Sequence, residues 1–367
     1  MRLSDFDYTL PAESIAQKPL EDRAAGRTLL LGRASGAIQD GHFRELPSHL
    51  RGDELIVVNN ARVIPARLFA HRLGTRAEPI SEHSLARREY LGSRIEVLLT
   101  RRIDADLWEA LVRPGRKIRN GEQLVFDGSK LEAEVVGRGP YGFRQLRFHS
   151  GSEPVSEVID KIGHVPLPPY IRRVDEAADR DRYQTVFAKQ AVAVAAPTAG
   201  QHFTPGIMKE LRQRGIEMAE ITLEVGLGTF QPIRAEELEA HVMHSEAYEI
   251  PENAATAIAE ARRRHRPILA VGTTVVRALE DAAQKSIQVG GTPESLMAGR
   301  ASASIFIRPG HRFMLVDQLL TNFHLPRSTL LVLVCAFAGR DAVLSAYRHA
   351  VACGYRFYSY GDCMLIR

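Results

Sequence analysis

The feature that most limits the fold of this chain is a change of rhythm along it. From residue 191 to residue 285, short apolar runs at 191–196, 216–223, 245–250 and 267–271 alternate with stretches of helical spacing at 205–214, 235–241, 252–264 and 274–285. That order predicts an α/β fold: a mostly parallel layered sheet with flanking helices, barrel-like closure being its alternative form. The runs 27–32 and 54–59 read as further strands, 330–350 as two helical pieces, and the closing FYSYGDCMLI as strand material.

Between residues 66 and 150 the rhythm differs. IEVLLTRR, LWEALVR, EQLVFDG, LEAEVVGR and FRQLRFHS recur at intervals of about ten residues with glycine turns between them, the pattern of a small antiparallel β-barrel. With α/β segments on both sides, the expectation is a discontinuous α/β domain (1–65 and 151–367) carrying an inserted barrel (66–150). Residues 71–93 read as a long surface excursion of that barrel.

A length of 367 residues suits two domains. The 48 basic and 44 acidic residues leave a net charge of only +4, so any polyanion has to be held by local clusters rather than by bulk charge. Such clusters occur at Arg87-Arg88, Arg101-Arg102, Arg113–Arg119 and Arg262–Arg266. Three cysteines without C-x-x-C spacing read as reduced thiols of a cytoplasmic protein. The run Leu330–Ala338 is far short of the ~20 apolar residues that span a bilayer, so no membrane contact is expected.

The loops that follow apolar runs carry the chemistry. AVAVAAPTAGQHFT reads as a strand buried on both faces that stops at Pro197, puts Thr198, Gln201 and His202 on a polar turn, and enters a helix at Pro205. In an open α/β sheet, ligands bind at such strand ends. Asn59, Asn60 and Arg62 offer fixed donors and acceptors for a planar polar ligand, or equally an Asx turn. Thr273 and Thr274 open a helix, as N-caps or as part of an anion-binding end with Arg277 one turn on.

Glycine patterns need sorting. Gly137–Gly142 matches G-x-G-x-x-G, yet a strand follows it, so no helix end is there to hold a pyrophosphate. Glu224-Val-Gly-Leu-Gly-Thr-Phe230 resembles the first segment of Rossmann-type methyltransferases, with Phe230 where a third glycine belongs. His241, His244 and Glu246 fit no common zinc spacing, so no metal is expected.

Taken together and in order, DFDYTLP, VVNNARVIPARL, GHVPLPPYI, YQTVFA, AVAAPTAGQHFT, TLEVGLGTFQPI, HSEAYEI, VGTTVVRALE, TNFHLPRSTLLVLVCAFAG and YRFYSYGDCMLI resemble the S-adenosylmethionine:tRNA ribosyltransferase-isomerase family of queuosine biosynthesis. Departures are Glu224, where the family usually has His, and Gln201, where it usually has Leu. The resemblance implies a transferase that moves and isomerises the ribosyl part of S-adenosylmethionine onto 7-aminomethyl-7-deazaguanine at the wobble position of tRNA with a GUN anticodon. Epoxyqueuosine, adenine and methionine would be the products, with S-adenosylmethionine a co-substrate and no retained cofactor.

On that resemblance, His202 and His324 are expected to move protons, with Glu224 and Glu246 as carboxylate partners. Asn59, Asn60 and Arg62 would hold polar edges of the base or nucleoside. Thr198, Gly226, Gly228, Thr229, Thr273, Thr274 and Arg277 would surround the donor, and Phe323 or Tyr360 would offer an aromatic face to the sulfonium. A monomer is expected. The rivals are a Rossmann-type methyltransferase built on EVGLGTF and a non-enzymatic tRNA-binding module.

Overall fold

The computed structural model describes residues 1–75, 94–115, 118–139, 142–224, 226 and 236–367. Gly228, Thr229 and most of the EVGLGTF turn lie outside the described residues, as do 76–93 of the expected excursion and its Arg87-Arg88 pair. Two units emerge: one comprises 1–62, 168–174 and 181–367, the other 63–167 and 175–180. Residues 151–167, with their helix Val155–Ile162, therefore group with the barrel.

The larger unit is built on a nine-stranded sheet. At its centre the strands Glu217–Leu223, Leu55–Asn59, Ile268–Val271 and Gln318–Asn322 lie side by side and parallel. Leu55–Asn59 is buried at every position, which is why its LIVVN sequence is a continuous apolar run rather than an alternating one. The margins are antiparallel: Glu246–Ile250 and Gly299–Ala303 on one side, Cys363–Ile366 against Gln318–Asn322 on the other, so the sheet is mixed. Arg27–Leu31 then pairs parallel with Cys363–Ile366 and antiparallel with Ile38–His42.

Helices cover both faces. Leu319, Phe323, Val57 and Ile268 belong to a core that includes Val276 and Leu279 of the helix Thr273–Gln288 and Leu331–Val334 of the helix Thr329–Ala338. Ile56, Val58, Leu269 and Leu320, one step away along the same strands, face a second core holding Phe43, Phe203, Ile207 and Leu211. The alternation of side chains along each strand thus sorts neighbouring residues onto opposite faces. Among the described residues no single helix is long and apolar enough to cross a membrane.

The barrel of the other unit is closed, in the order Phe143–His149, Leu107–Arg113, Ile95–Arg102, Arg67–Thr75, Glu122–Phe126 and Glu132–Arg138. Its strands alternate buried and partly exposed positions, as in Ile95, Val97 and Leu99 against Glu96 and Leu98.

One expectation is corrected. The run 191–196 is not a central strand: only Gln190–Ala193 is extended, in a two-stranded sheet apart from the large one, and burial begins at Ala193 as the chain dips toward a 3₁₀ turn. Small Ala and Val side chains cannot distinguish a buried strand from a buried irregular segment by pattern alone.

Candidate functional site

Because the four central strands run in one direction, their carboxyl ends share one edge of the sheet, and that edge is where an open α/β sheet leaves room for a ligand. It presents Asn59-Asn60, Leu223-Glu224, Gly272-Thr273-Thr274 and Asn322-Phe323-His324. Gly272 has φ +95°, a left-handed conformation that a side chain would strain, and it turns the chain directly from strand into the helix of Thr273 and Thr274. Its amide donates to Leu320 O at 2.8 Å, tying this turn to the neighbouring strand.

The asparagine pair divides its labour. Asn59 Oδ1 accepts from Ala61 N at 2.9 Å and Leu223 N at 3.1 Å, an Asx turn that also clamps the adjacent strand. Its buried Nδ2 has no partner among the described residues. Asn60 is committed to the scaffold: Nδ2 donates to Glu220 at 3.3 Å and Oδ1 accepts from Thr222 Oγ1 at 2.8 Å. Arg62 is exposed.

His202 ends the 3₁₀ turn Thr198–His202, just before Thr204 caps the helix Pro205–Gln213 by accepting from Ile207 N at 3.2 Å. The imidazole is buried, tilted against Phe43 with ring centres 5.1 Å apart. Gly26 backs it so closely that an added β-carbon would sit 3.2 Å from Nδ1. Asn322 Nδ2 faces His202 Nε2 at 3.4 Å while donating to Tyr358 O at 3.1 Å and Asp362 O at 3.3 Å. Those two carbonyls fix the amide, since flipping it would set three acceptors together; His202 Nε2 is therefore the unprotonated nitrogen and Nδ1 carries the hydrogen. Burial first, then the guanidiniums of Arg23, Arg356 and Arg182, lower the His202 pKa to about 4, so the ring is neutral at neutral pH.

His202 opens onto a small cleft with Arg23, Arg182, Gln201, Ser359 and Tyr360 in its wall. Tyr360 is buried and meets Tyr183 edge-on at 5.9 Å. Thr198, at the start of the same turn, is half-buried, and Ala199 beside it lies 4.0 Å from the β-carbon position of Gly272. The structure thus gathers Thr198, His202, Thr273, Thr274 and Tyr360 around the strand-end edge.

Other expected residues fall elsewhere. His324 Nε2 lies 2.8 Å from Thr321 Oγ1, its backbone amide donates to Tyr347 OH, and its carbonyl accepts from Tyr8 OH at 2.5 Å. Thr321 and Asn322 are consecutive strand residues, so their side chains point to opposite faces and carry His324 and His202 apart. Desolvation lowers the His324 pKa to about 3. Phe323 is fully buried among Tyr347, Tyr355 and Phe357, with no face left for a sulfonium; Tyr360 alone of the two aromatic candidates borders the cleft.

Glu246 and Arg277 are both buried and bonded to each other at 2.5 Å, and Arg277 also donates to the carbonyls of His244 and Ala303. That pair pins the helix Thr273–Gln288 to the strands Glu246–Ile250 and Gly299–Ala303, so it supports the fold rather than offering a free carboxylate or guanidinium. Glu224 accepts from Arg300 at 3.0 Å, and among the described residues nothing lies near the β-carbon position of Gly226. The Arg262–Arg266 run is spent on Asp317, Glu260 and Glu217. Among the described residues, metal-ligating atoms cluster at Asp40, His349 and Cys353, apart from this edge.

Pattern reading missed Arg23, Arg182, Arg356 and Asn322. Asn322 had a usable signal, a polar residue ending an apolar strand just as Asn59 does; the arginines had none, being separated along the chain and joined only by the fold.

The chain matches the family model described as queuosine biosynthesis protein over residues 3–366. A relative from Solibacter usitatus named S-adenosylmethionine:tRNA ribosyltransferase-isomerase is 50% identical over 368 residues, covering 100% of both chains. One of the same name from Moorella thermoacetica is 48% identical, again over 100% of both. The crystal structure of an S-adenosylmethionine tRNA ribosyltransferase from Thermotoga maritima, 36% identical, covers 99% of this chain and 100% of its own with a TM-score of 0.52.

Proposed function

From the premise that this chain belongs to the queuosine biosynthesis protein family, we propose that it transfers and isomerises the ribosyl moiety of S-adenosylmethionine onto the aminomethyl group of 7-aminomethyl-7-deazaguanine at the wobble position of tRNA, releasing adenine and methionine and leaving epoxyqueuosine. The tRNA carries a GUN anticodon. The enzyme works in the cytoplasm as a monomer, consuming S-adenosylmethionine as a co-substrate without a retained cofactor or metal.

The observation that carries this reading to particular atoms is the neutral, buried imidazole of His202 at the foot of the cleft. The attacking amine has to shed a proton before it can act as a nucleophile, and the carbon next to the sulfonium is acidified. Both steps need a base that is unprotonated at neutral pH and shielded from water. His202 supplies it through Nε2, its unprotonated nitrogen, once the substrate proton takes the place of the long contact from Asn322 that orients the ring. Thr273 and Thr274, at the start of a long helix whose first amides lack intrahelical partners, hold polar groups of the donor. The unpartnered Asn59 Nδ2 donates to the nucleoside, and Tyr360 lies along the sulfonium. An anticodon-loop base is splayed into such a pocket without opening a duplex.

Incubation with precursor-bearing tRNA and labelled S-adenosylmethionine tests the proposal. Adenine and methionine in the products, with His202→Ala inactive yet folded, are the expected result. S-adenosylhomocysteine would instead mean methyl transfer, and an intact donor beside bound tRNA would mean a binding module; either would overturn the reading.

A further inference from the structure

The cleft beside His202 is charged in an unusual way. Arg23 donates to the carbonyls of Asp181 at 2.5 Å, Gln184 at 2.6 Å and Gln201 at 3.2 Å. Arg182 donates to Leu20 O and Arg356 to Lys18 O. Among the described residues, no carboxylate forms an ion pair with any of the three. Main-chain carbonyls hold a guanidinium in place but do not cancel its charge, which is what a site awaiting an anion requires.

The nearby carboxylates are engaged elsewhere. Asp362 accepts from the backbone amides of Arg27 at 2.9 Å and Arg356 at 2.8 Å. Asp22 accepts from Ala24 N and pairs with Arg44, and Asp181 is exposed. Two donors are buried without a partner among the described residues: Gln201 Nε2, in the cleft wall, and Arg356 Nη1. Burial lowers the pKa of all three arginines and Arg182 adds to the effect on Arg23, while Asp181, Asp22 and Asp362 act through space in the opposite sense on Arg23, Arg182 and Arg356 without outweighing it. Exposed arginines along a surface would suit a phosphate track; Arg23 and Arg182 instead line a small recess bordered by Tyr360, Leu20 and Pro19, with Arg356 behind it.

We propose that Arg23, Arg182 and Gln201, backed by Arg356, form a subsite for a single oxyanion of the substrate, the carboxylate of the amino-acid part of the donor. The proposal rests on the donor reading given above for its source, and on the cleft alone for its chemistry. Seating the carboxylate there sets the sulfonium end of the donor beside His202 and offsets the positive field that keeps the imidazole from taking a proton.

The test uses the full chain and four probes. In calorimetric titration, S-adenosylmethionine is expected to bind roughly 10- to 100-fold more tightly than its decarboxylated analogue, the worth of a charge-assisted hydrogen-bond pair. Arg182→Gln should erase that preference, weakening the donor and leaving the analogue unchanged; Arg356→Gln should reduce it, and unchanged melting temperatures show that both variants fold. Inorganic phosphate is expected to shift the His202 ring resonances in the parent and not in Arg182→Gln. That arm supports the subsite even if the donor fails to bind, an outcome that would count against the function alone. If Arg182→Gln weakens only an anticodon stem-loop RNA, the subsite stands with a phosphate as its oxyanion. Equal donor and analogue affinity, with no response to phosphate or loss of RNA binding, overturns the proposal.

Discussion

Asn322 Nδ2 stands 3.4 Å from His202 Nε2 and is pinned there by the carbonyls of Tyr358 and Asp362. One amide thereby decides the tautomer of the ring that faces the cleft. Asn322→Ala is expected to take a donor from the carbonyls of Tyr358, which keeps the Gly361 amide, and Asp362, and to destabilise the protein by about 1–3 kcal/mol. Asn322→Asp would additionally set a carboxylate against those carbonyls. It should raise the His202 pKa and cut kcat more than it alters KM for the donor, which steady-state kinetics and a histidine NMR titration resolve.

Acid sensitivity follows from the buried histidines. His202 falls from 6.5 to about 4 and His324 from 6.5 to about 3, each mainly by desolvation; burial lowers His241 too. Below pH 6.5 the unfolded chain binds protons that the folded chain refuses, so stability is fully present above that pH and declines as pH falls toward 4. For His202 the total loss is on the order of 3 kcal/mol. Urea midpoints measured between pH 7 and pH 5 should fall steadily, before most carboxylates titrate, and His202→Gln or His324→Gln should flatten the slope. A parent midpoint independent of pH over that range would contradict the buried neutral rings.

Much of the architecture was legible because its signals are local. The apolar run ending in Asn59, the Gly-Thr-Thr turn after Val271 and the ten-residue beat of the barrel each announce an element within one short window. The site was legible only in part. His202 stands on a turn that reads as functional and Tyr360 is reached only through the resemblance, whereas Arg23, Arg182 and Arg356 converge from distant segments through backbone carbonyls, for which no spacing exists. The resemblance offers Phe323 as a ring for the sulfonium, yet strand alternation continued one residue past Asn322 sends it to the core, where it is fully buried.

Phe323 accordingly makes a sharp control. Truncating a ring packed against Tyr347, Tyr355 and Phe357 leaves a cavity, so Phe323→Ala should cost about 3–5 kcal/mol in denaturant unfolding. Donor affinity measured at a temperature where the variant is folded should stay at the parent value, whereas Tyr360→Ala should weaken the donor with a smaller loss of stability.

The Glu246–Arg277 pair is where a structural and a catalytic role predict different outcomes. Both side chains are buried and Arg277 Nε has no partner among the described residues, so Glu246→Gln strands a buried guanidinium and should cost about 3–5 kcal/mol. Replacing both partners removes the stranded charge as well, so Glu246→Gln combined with Arg277→Met should recover much of that stability. If the pair only pins the helix Thr273–Gln288 to the neighbouring strands, turnover by the double variant recovers along with its melting temperature. Recovery of stability with turnover still lost would instead return Glu246 or Arg277 to the chemistry.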